Sequence, residues 1–284
     1  MAGTSVAAKP RVGVVKLASC DGCQLTILDL EDELLTIADH IEIVDFPEAS
    51  SVRSAGPYDV LFVEGSISEP SQIERIVELR RRTRFLVTIG ACATAGGIQA
   101  LRNWGGHDAF RDSIYARPEL IHTLERSTPI ADHVPVDAEL RGCPIDPGQL
   151  VELLTALMTG RAPQLRDEAV CMECKRRGVV CVMVSRGIPC LGQVTQTGCG
   201  AICPRYGRGC YGCFGPRDGA NAAGLATRFI AQGEASETVG RRFAGFTAWA
   251  EPFRSMVTEH GGAPAAATPV TPSGGRPPAE GAAR

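Results

Sequence analysis

The chain shows almost no excess of either charge: 29 basic side chains against 32 acidic give −3 over 284 residues. A balance of that kind carries no overall footprint for nucleic acid or for an anionic membrane surface. No apolar run approaches the length of a membrane span. Residues 1–10 (MAGTSVAAKP) lack the basic-then-apolar pattern of a secretory signal, and no twin-arginine pair opens the sequence. The location expected from these absences is the cytoplasm, with neither nucleic acid nor membrane as partner. Histidine is also scarce, at five, and aromatic residues make up 5% of the chain. Twelve cysteines stand beside them. In a reducing compartment a disulfide framework is unfavoured, so metal ligation is the leading reading for these thiols. Four-thiolate sites are the unit of both structural zinc and iron–sulfur chemistry.

The remaining composition, 44% hydrophobic and 21% charged, is that of a soluble globular chain. Residues 12–17 (VGVVKL), 41–46 (IEIVDF), 58–64 (YDVLFVE) and 85–89 (FLVTI) read as strands. Near-continuous apolar runs suit parallel strands covered on both faces. Helical spacing of Leu25, Leu28, Leu34, Leu35 and Ala38 predicts a helix over 25–38. A second is predicted over 71–82, opened by a Ser71/Glu74 capping box and ending in Arg80, Arg81 and Arg82. That basic run reads as a solvated helix end rather than a nucleic-acid contact. A third helix is expected over 147–158. The alternation predicts an α/β fold, a flavodoxin-like doubly wound parallel sheet. A cysteine-rich domain with little regular structure follows it, apart from a short strand candidate at 179–184. Helices are expected at 221–232, with Asn221 as N-cap, and at 244–258, where Pro252 would kink or split the second. The expected organisation is an N-terminal extension (1–10), a flavodoxin-like domain (11–162), an iron–sulfur domain with flanking helices (163–260) and a disordered Pro/Ala/Gly-rich tail (261–284).

Four cysteines lie where such a sheet presents ligands. Cys20 and Cys23 follow the first strand as Cys-Asp-Gly-Cys, Cys92 follows the 85–89 strand, and Cys143 precedes the 147–158 helix. Loops at the carboxyl ends of parallel strands converge on one crevice. Their glycines (Gly22, Gly90, Gly96, Gly97, Gly142) let backbone N–H groups approach sulfur closely. A thioredoxin-type dithiol is the competing reading of Cys20 and Cys23, but it gives Cys92 and Cys143 no role.

Eight more cysteines crowd into residues 171–213: Cys171, Cys174, Cys181, Cys190, Cys199, Cys203, Cys210 and Cys213. Their intervening gaps of two, six, eight, eight, three, six and two are close to palindromic. Two four-iron clusters require eight thiolates, and Cys203-Pro204 has the form of a ligand that serves the other cluster in two-cluster ferredoxins. Two four-cysteine zinc sites satisfy the same spacing. Cys181, inside the apolar strand candidate, is the least secure ligand. How the eight divide stays open at this stage.

The combination of Cys20-x-x-Cys23, Gly90-x-Cys92-x-x-x-Gly96-Gly97 and Gly142-Cys143-Pro144 resembles the small subunit of nickel–iron hydrogenases. Val63-Glu64-Gly65-Ser66 also fits that family. The stretch 171–216 is similar to the soluble class, in particular the delta subunit of NADP-linked, sulfhydrogenase-type enzymes. The resemblance covers about residues 10–260 and departs from the usual pattern where Ile145, not a second proline, follows Pro144. It also has no histidine between Cys171 and Cys213, where the periplasmic relatives place a ligand. The resemblance implies that Cys20, Cys23, Cys92 and Cys143 bind a proximal four-iron cluster facing a nickel–iron centre in a separate large subunit. It further implies two more four-iron clusters on the other eight cysteines, and electron delivery to iron–sulfur and FAD/NAD(P)-binding subunits. No catalytic residue is then expected in this chain. Glu64, at a strand end, is a candidate for proton handling, set against an interfacial or solvated carboxylate. Two rival classes remain: the iron–sulfur subunit of a complex I-like quinone reductase, and a zinc-bearing structural module.

Overall fold

A computed structural model describes residues 9–261. Five parallel strands form one sheet in the order β2-β1-β3-β4-β5, the flavodoxin-like order expected. They are β1 (Arg11–Lys16), β2 (Glu42–Asp45), β3 (Tyr58–Glu64), β4 (Thr83–Ile89) and β5 (Ala138–Leu140). Residues alternate between two apolar layers, as a sheet covered on both faces requires. Val60 and Phe62 face one cluster, with helix residues Ile27, Ile37 and Leu150. Leu61 and Val63 face the other, with Ile76 and Ile130.

The helices of this half are α1 (Gly22–Leu28), α2 (Asp32–Ala38), α3 (Pro70–Arg81), α4 (Gly90–Ala95), α5 (His107–Ile114) and α6 (Pro147–Thr159). The single helix expected over 25–38 is broken in two, because Glu31 adopts φ 48°, which a continuing helix does not permit. The start of α3 is also one step earlier than expected. Glu69 is its N-cap, and the Gln72 side chain accepts from the Ser68 and Glu69 amides at 2.8 and 3.1 Å. Its basic end is largely paired within the chain: Arg80 with Asp137 at 2.9 Å and Arg82 with Glu78 at 2.5 Å. Arg81 shares Glu78 with Arg82, at 3.6 Å, so the run is a salt-bridged helix end in which two carboxylates face three arginines.

After α6, capped by Asp146 through the Gln149 amide at 2.9 Å, come three short helices. These are α7 (Val170–Arg176), α8 (Val182–Arg186) and α9 (Ile202–Arg205). The strand expected at 179–184 is replaced by α8, bounded by Cys181 as N-cap and Gly187 in the left-handed conformation as C-cap. Then follow α10 (Ala222–Ala231), α11 (Ser236–Phe243) and α12 (Phe253–His260). Asn221 caps α10 as expected, accepting from Gly224 N at 2.8 Å. The 244–258 expectation is corrected: Pro252 is the N-cap of α12, and 244–252 is not helical. The cysteine segment alone has few apolar side chains, yet it does not lack a core. Val170, Val182, Met183, Leu191 and Val194 share one apolar cluster with Leu225, Phe229, Val239, Phe243, Phe253 and Val257. The disordered-tail expectation falls, from residue 262 onward, outside the described residues, as does most of the N-terminal extension.

The two halves are tied at several points. Arg141 donates to the Pro216 carbonyl at 2.8 Å and to Gln196 Oε1 at 3.0 Å. Trp104 stacks edge-on against Trp249 at 5.0 Å and donates to Thr258 Oγ1 at 3.1 Å.

Candidate metal centres

Sheet register sets the first site. Lys16 pairs with Glu64, Glu64 with Ile89, and Ile89 with Leu140, so four strand ends lie in one row. The loops leaving that row carry Cys20 and Cys23 (after β1), Cys92 (after β4) and Cys143 (after β5). The four thiols are electrostatic neighbours: charge on Cys92 and Cys143 acts on Cys23, and charge on Cys20 acts on both Cys92 and Cys143. Three separate loops thus bring these four thiols to one edge of the sheet.

The loops fit a bulky sulfur-bound group. Gly90 has φ +83°, and a Cβ there would lie 2.4 Å from Cys23 Sγ. Gly97 has φ +67°, and a Cβ there would lie 2.7 Å from Cys92 Sγ. Both positions need glycine for backbone conformation as well as for room. Gln99 bridges two of the loops, donating to the Ala18 carbonyl at 2.7 Å and lying 3.5 Å from Cys92 Sγ. Sequence reading missed Gln99, since its partner sits 81 positions away and no local pattern marks the pair.

Burial governs the thiols themselves. It pushes Cys23 far above the ordinary thiol value, Cys92 up to about 11, and Cys143 upward as well. A buried thiol held neutral in this way, as at Cys23, is a poor nucleophile. A bound metal reverses that preference, because coordination deprotonates a thiol outright.

Glu64 is buried, at 2% exposure, and is not the solvated carboxylate of the alternative reading. It accepts from Cys23 N at 3.2 Å and from Gln24 Nε2 at 2.8 Å, so it fixes the first turn of α1 and with it Cys23. Glu64→Ala leaves both donors unpaired and is expected to cost about 2–4 kcal/mol. Glu64→Gln keeps an acceptor for Cys23 N. Its new N–H replaces the oxygen that accepts from Gln24 Nε2, and a turn of the Gln24 amide brings the unpartnered Gln24 Oε1 to it as acceptor, so its cost should stay below about 1 kcal/mol. Denaturant melts of the two variants check this; equal losses would overturn the positioning role.

The eight C-terminal thiols also converge. Cys171 and Cys174 sit on α7, Cys181 caps α8, and Cys203 lies on α9. Cys171 has Cys174, Cys181 and Cys190 as electrostatic neighbours. Cys213 has Cys199, Cys203 and, across the junction between halves, Cys143. The Cys143 backbone N–H also favours charge on Cys213. Cys190 lies between the groups, since its Sγ accepts from Cys210 N at 3.1 Å and from Gly192 N at 3.4 Å. Gly212 N donates to Cys210 Sγ at 3.4 Å. Burial raises Cys171 to about 11 and Cys213 to about 12. Among the described residues, no three Cys, His, Asp or Glu side chains close around a single-ion position.

A flavodoxin-like sheet with thiols at its strand ends places the chain among redox subunits. In keeping with that, residues 20–157 match the family profile described as NADH ubiquinone oxidoreductase, 20 Kd subunit. The Pyrococcus furiosus sulfhydrogenase 2 subunit delta is 35% identical over 239 residues, covering 84% of this chain and all of that one. A subunit of the F420-non-reducing hydrogenase of Methanocaldococcus jannaschii is 32% identical, covering 76% of this chain and 86% of its own. Among solved structures, a chain of an NAD+-reducing NiFe-hydrogenase in the H2-reduced state superposes with a TM-score of 0.52 at 30% identity. That match covers 55% of this chain and 95% of the other. The NiFeSe hydrogenase of Desulfovibrio vulgaris Hildenborough shares the fold at 15% identity and a TM-score of 0.52, over 76% of this chain and 97% of the other. The chain belongs to the family of hydrogenase small subunits, and its function is that of the iron–sulfur subunit of a hydrogenase. Among the described residues, no helix is long and apolar enough to cross a membrane.

Proposed function

We propose that this chain is the electron-conducting subunit of a nickel–iron hydrogenase and holds three four-iron clusters. Cys20, Cys23, Cys92 and Cys143 would hold the proximal one. Cys199, Cys203, Cys210 and Cys213 would hold a middle one, and Cys171, Cys174, Cys181 and Cys190 an outer one. When bound, such clusters supply one-electron transfer at potentials tuned by hydrogen bonds to sulfur, burial and charge. The protein's own part is to space them and to set those levers. Gly192, Cys210 and Gly212 amides aim at sulfur in the C-terminal half, and Gln99 does so beside Cys92. The observation that carries the reading is the junction between the halves, where Cys143 is an electrostatic neighbour of Cys213 and its backbone N–H favours charge there. In this reading residues 11–162 and 163–260 are the two domains. The nickel–iron centre belongs to a large subunit covering the exposed thiols Cys20 and Cys143, and electrons pass to an iron–sulfur and FAD/NAD(P)-binding partner in the cytoplasm.

The match of residues 20–157 to the 20 Kd subunit profile favours a second reading, a complex I-like quinone reductase subunit. That reading gives the eight thiols beyond residue 157 no work. Anaerobic purification should return about twelve iron atoms per chain with matching sulfide. Two zinc ions and little iron would end the proposal. About four iron atoms, without a nickel-bearing large subunit, would move the assignment to the quinone reductase class.

A further inference from the structure

The segment that holds eight thiols is also locally basic. Residues 171–213 contain Lys175, Arg176, Arg177, Arg186, Arg205 and Arg208 against one acid, Glu173, a balance of +5 in a chain whose total is −3. All six cations are exposed. Glu173 is turned inward, accepting from Gly198 N at 3.2 Å and Ala201 N at 3.0 Å. Arg176 is paired with Glu168. Among the described residues, Arg177, Arg186, Arg205 and Arg208 form no ion pair.

Three of these cations, Arg177, Arg186 and Arg205, rim a cleft of about 550 Å³, whose walls also include Val180 and Ser185. Three apolar side chains stand out beside it: Val180 is 70% exposed, Val184 82% and Tyr206 77%. Between Val180 and α8 lies Cys181, the one exposed thiol among the eight. An apolar centre within a charged rim is the composition of a protein interface. Tyr206 alone of the three offers a base a stacking face; the aliphatic Val180 and Val184 at the centre of the patch offer none and no contact for phosphate, so a protein partner fits it better.

We propose that this face docks an acidic iron–sulfur electron-carrier protein, with Cys181 at the point of closest approach. The inference rests on the electron-conducting reading above and adds where the carrier binds and what charge it bears. Unpaired arginines steer an acidic partner through the long-range field, and the exposed valines and tyrosine then exclude water at contact. Electron-transfer encounters of this type are small, below about 1,200 Å² in total, which a patch of this extent satisfies.

The test uses the complex of this chain with its large subunit, and a plant-type ferredoxin as the acidic probe. Calorimetric binding and hydrogen-driven reduction of the ferredoxin are both followed from about 20 mM to about 300 mM salt, a range over which exposed charges become screened. Association should weaken at least about tenfold across that range, and about tenfold at low salt in Arg186→Glu/Arg205→Glu. Arg186→Gln/Arg205→Gln should show a smaller loss in the same direction, and covers the case in which charge reversal perturbs folding. Reduction of methyl viologen, a small cation with no need of the patch, should stay within about twofold in both variants. Unchanged ferredoxin binding in variants that still reduce viologen would overturn the docking site alone. An RNA oligonucleotide that displaces ferredoxin with equal affinity would overturn it too, marking a general polyanion surface. Failure of the electron-conducting reading looks different: the unaltered complex would reduce neither probe.

Discussion

Gly90→Ala is expected to empty the proximal site while leaving the rest of the protein folded, with iron falling from about twelve to about eight atoms per chain. Two effects add. Gly90 has φ +83°, where an L side chain costs about 1–2 kcal/mol. The new Cβ would also lie 2.4 Å from Cys23 Sγ, well inside van der Waals contact. Cys23 has little freedom to retreat, because its backbone amide is held by Glu64 and its side chain is buried. Movement of α4 instead would break the 2.6 Å bond from Ala91 N to the Gly142 carbonyl, and so disturb Cys143. Either relaxation displaces at least one of the four thiols. Of the apolar layer around Phe62, Val87 and Leu140 the new methyl's nearest contact is Cys23, at the start of α1 beyond the strands, so far-ultraviolet circular dichroism should hardly change. Gly160→Ala is the control: it shares a positive φ of +67° but has nothing within 4 Å of the added Cβ. It should cost about 1 kcal/mol and no iron. Full iron retention in Gly90→Ala would contradict the assignment of Cys23 and its neighbours to one centre.

The parts of the fold that show in the sequence are those whose causes are local and repeated. Continuous apolar runs mark β1, β3 and β4 because burial on both faces leaves no polar alternation, and β3 spans the very residues expected, Tyr58–Glu64. The strand β5 escapes notice since it is three residues long, with only Leu140 buried. The break between α1 and α2 follows from the φ of Glu31, which no periodicity of leucines records. Residues 179–184 mislead for another reason. Val179, Val180, Val182 and Val184 have the composition of a strand, yet Val180 and Val184 are exposed and the segment has no neighbouring strand to pair with.

The candidate site divides along the same line. Cys20, Cys23, Cys92 and Cys143 are legible because sheet topology dictates where their loops emerge. The grouping of the other eight is not, because their loops follow thiol-to-backbone contacts such as Cys190 Sγ with Cys210 N, 20 positions apart. Net charge is the least informative of the sequence quantities here. A total of −3 conceals a segment at +5, and only placement on one exposed face turns those arginines into a surface property.

Phe253→Ala should have the opposite signature to Gly90→Ala: the strand-end site keeps its iron while the C-terminal half loses its own. Phe253 is 1% exposed and meets Phe243 edge-on at 5.4 Å. Truncating such a ring in a packed core costs about 3–5 kcal/mol. The loss falls on more than packing. A Cβ on Gly212 would lie 3.1 Å from Phe253 Cε2, so the ring supports the backbone between Cys210 and Cys213 directly. Thr247 Oγ1 donates to the Gly212 carbonyl at 2.7 Å on the same loop. The cysteine segment draws its core from α10, α11 and α12, with Cys190 and Cys210 themselves inside that cluster, so the helices and the bound metal stabilise one folded unit between them. Metal binding coupled in this way to folding is lost when the fold is weakened. Iron should fall toward about four atoms per chain, and the melting temperature should drop by about 10 °C. Phe253→Leu, which fills most of the volume, should cost less than about 1.5 kcal/mol and keep most of the iron. A Phe253→Ala chain with twelve iron atoms and an unshifted melt would show that the thiol loops hold their shape without the helices, and would refute the shared core as their support.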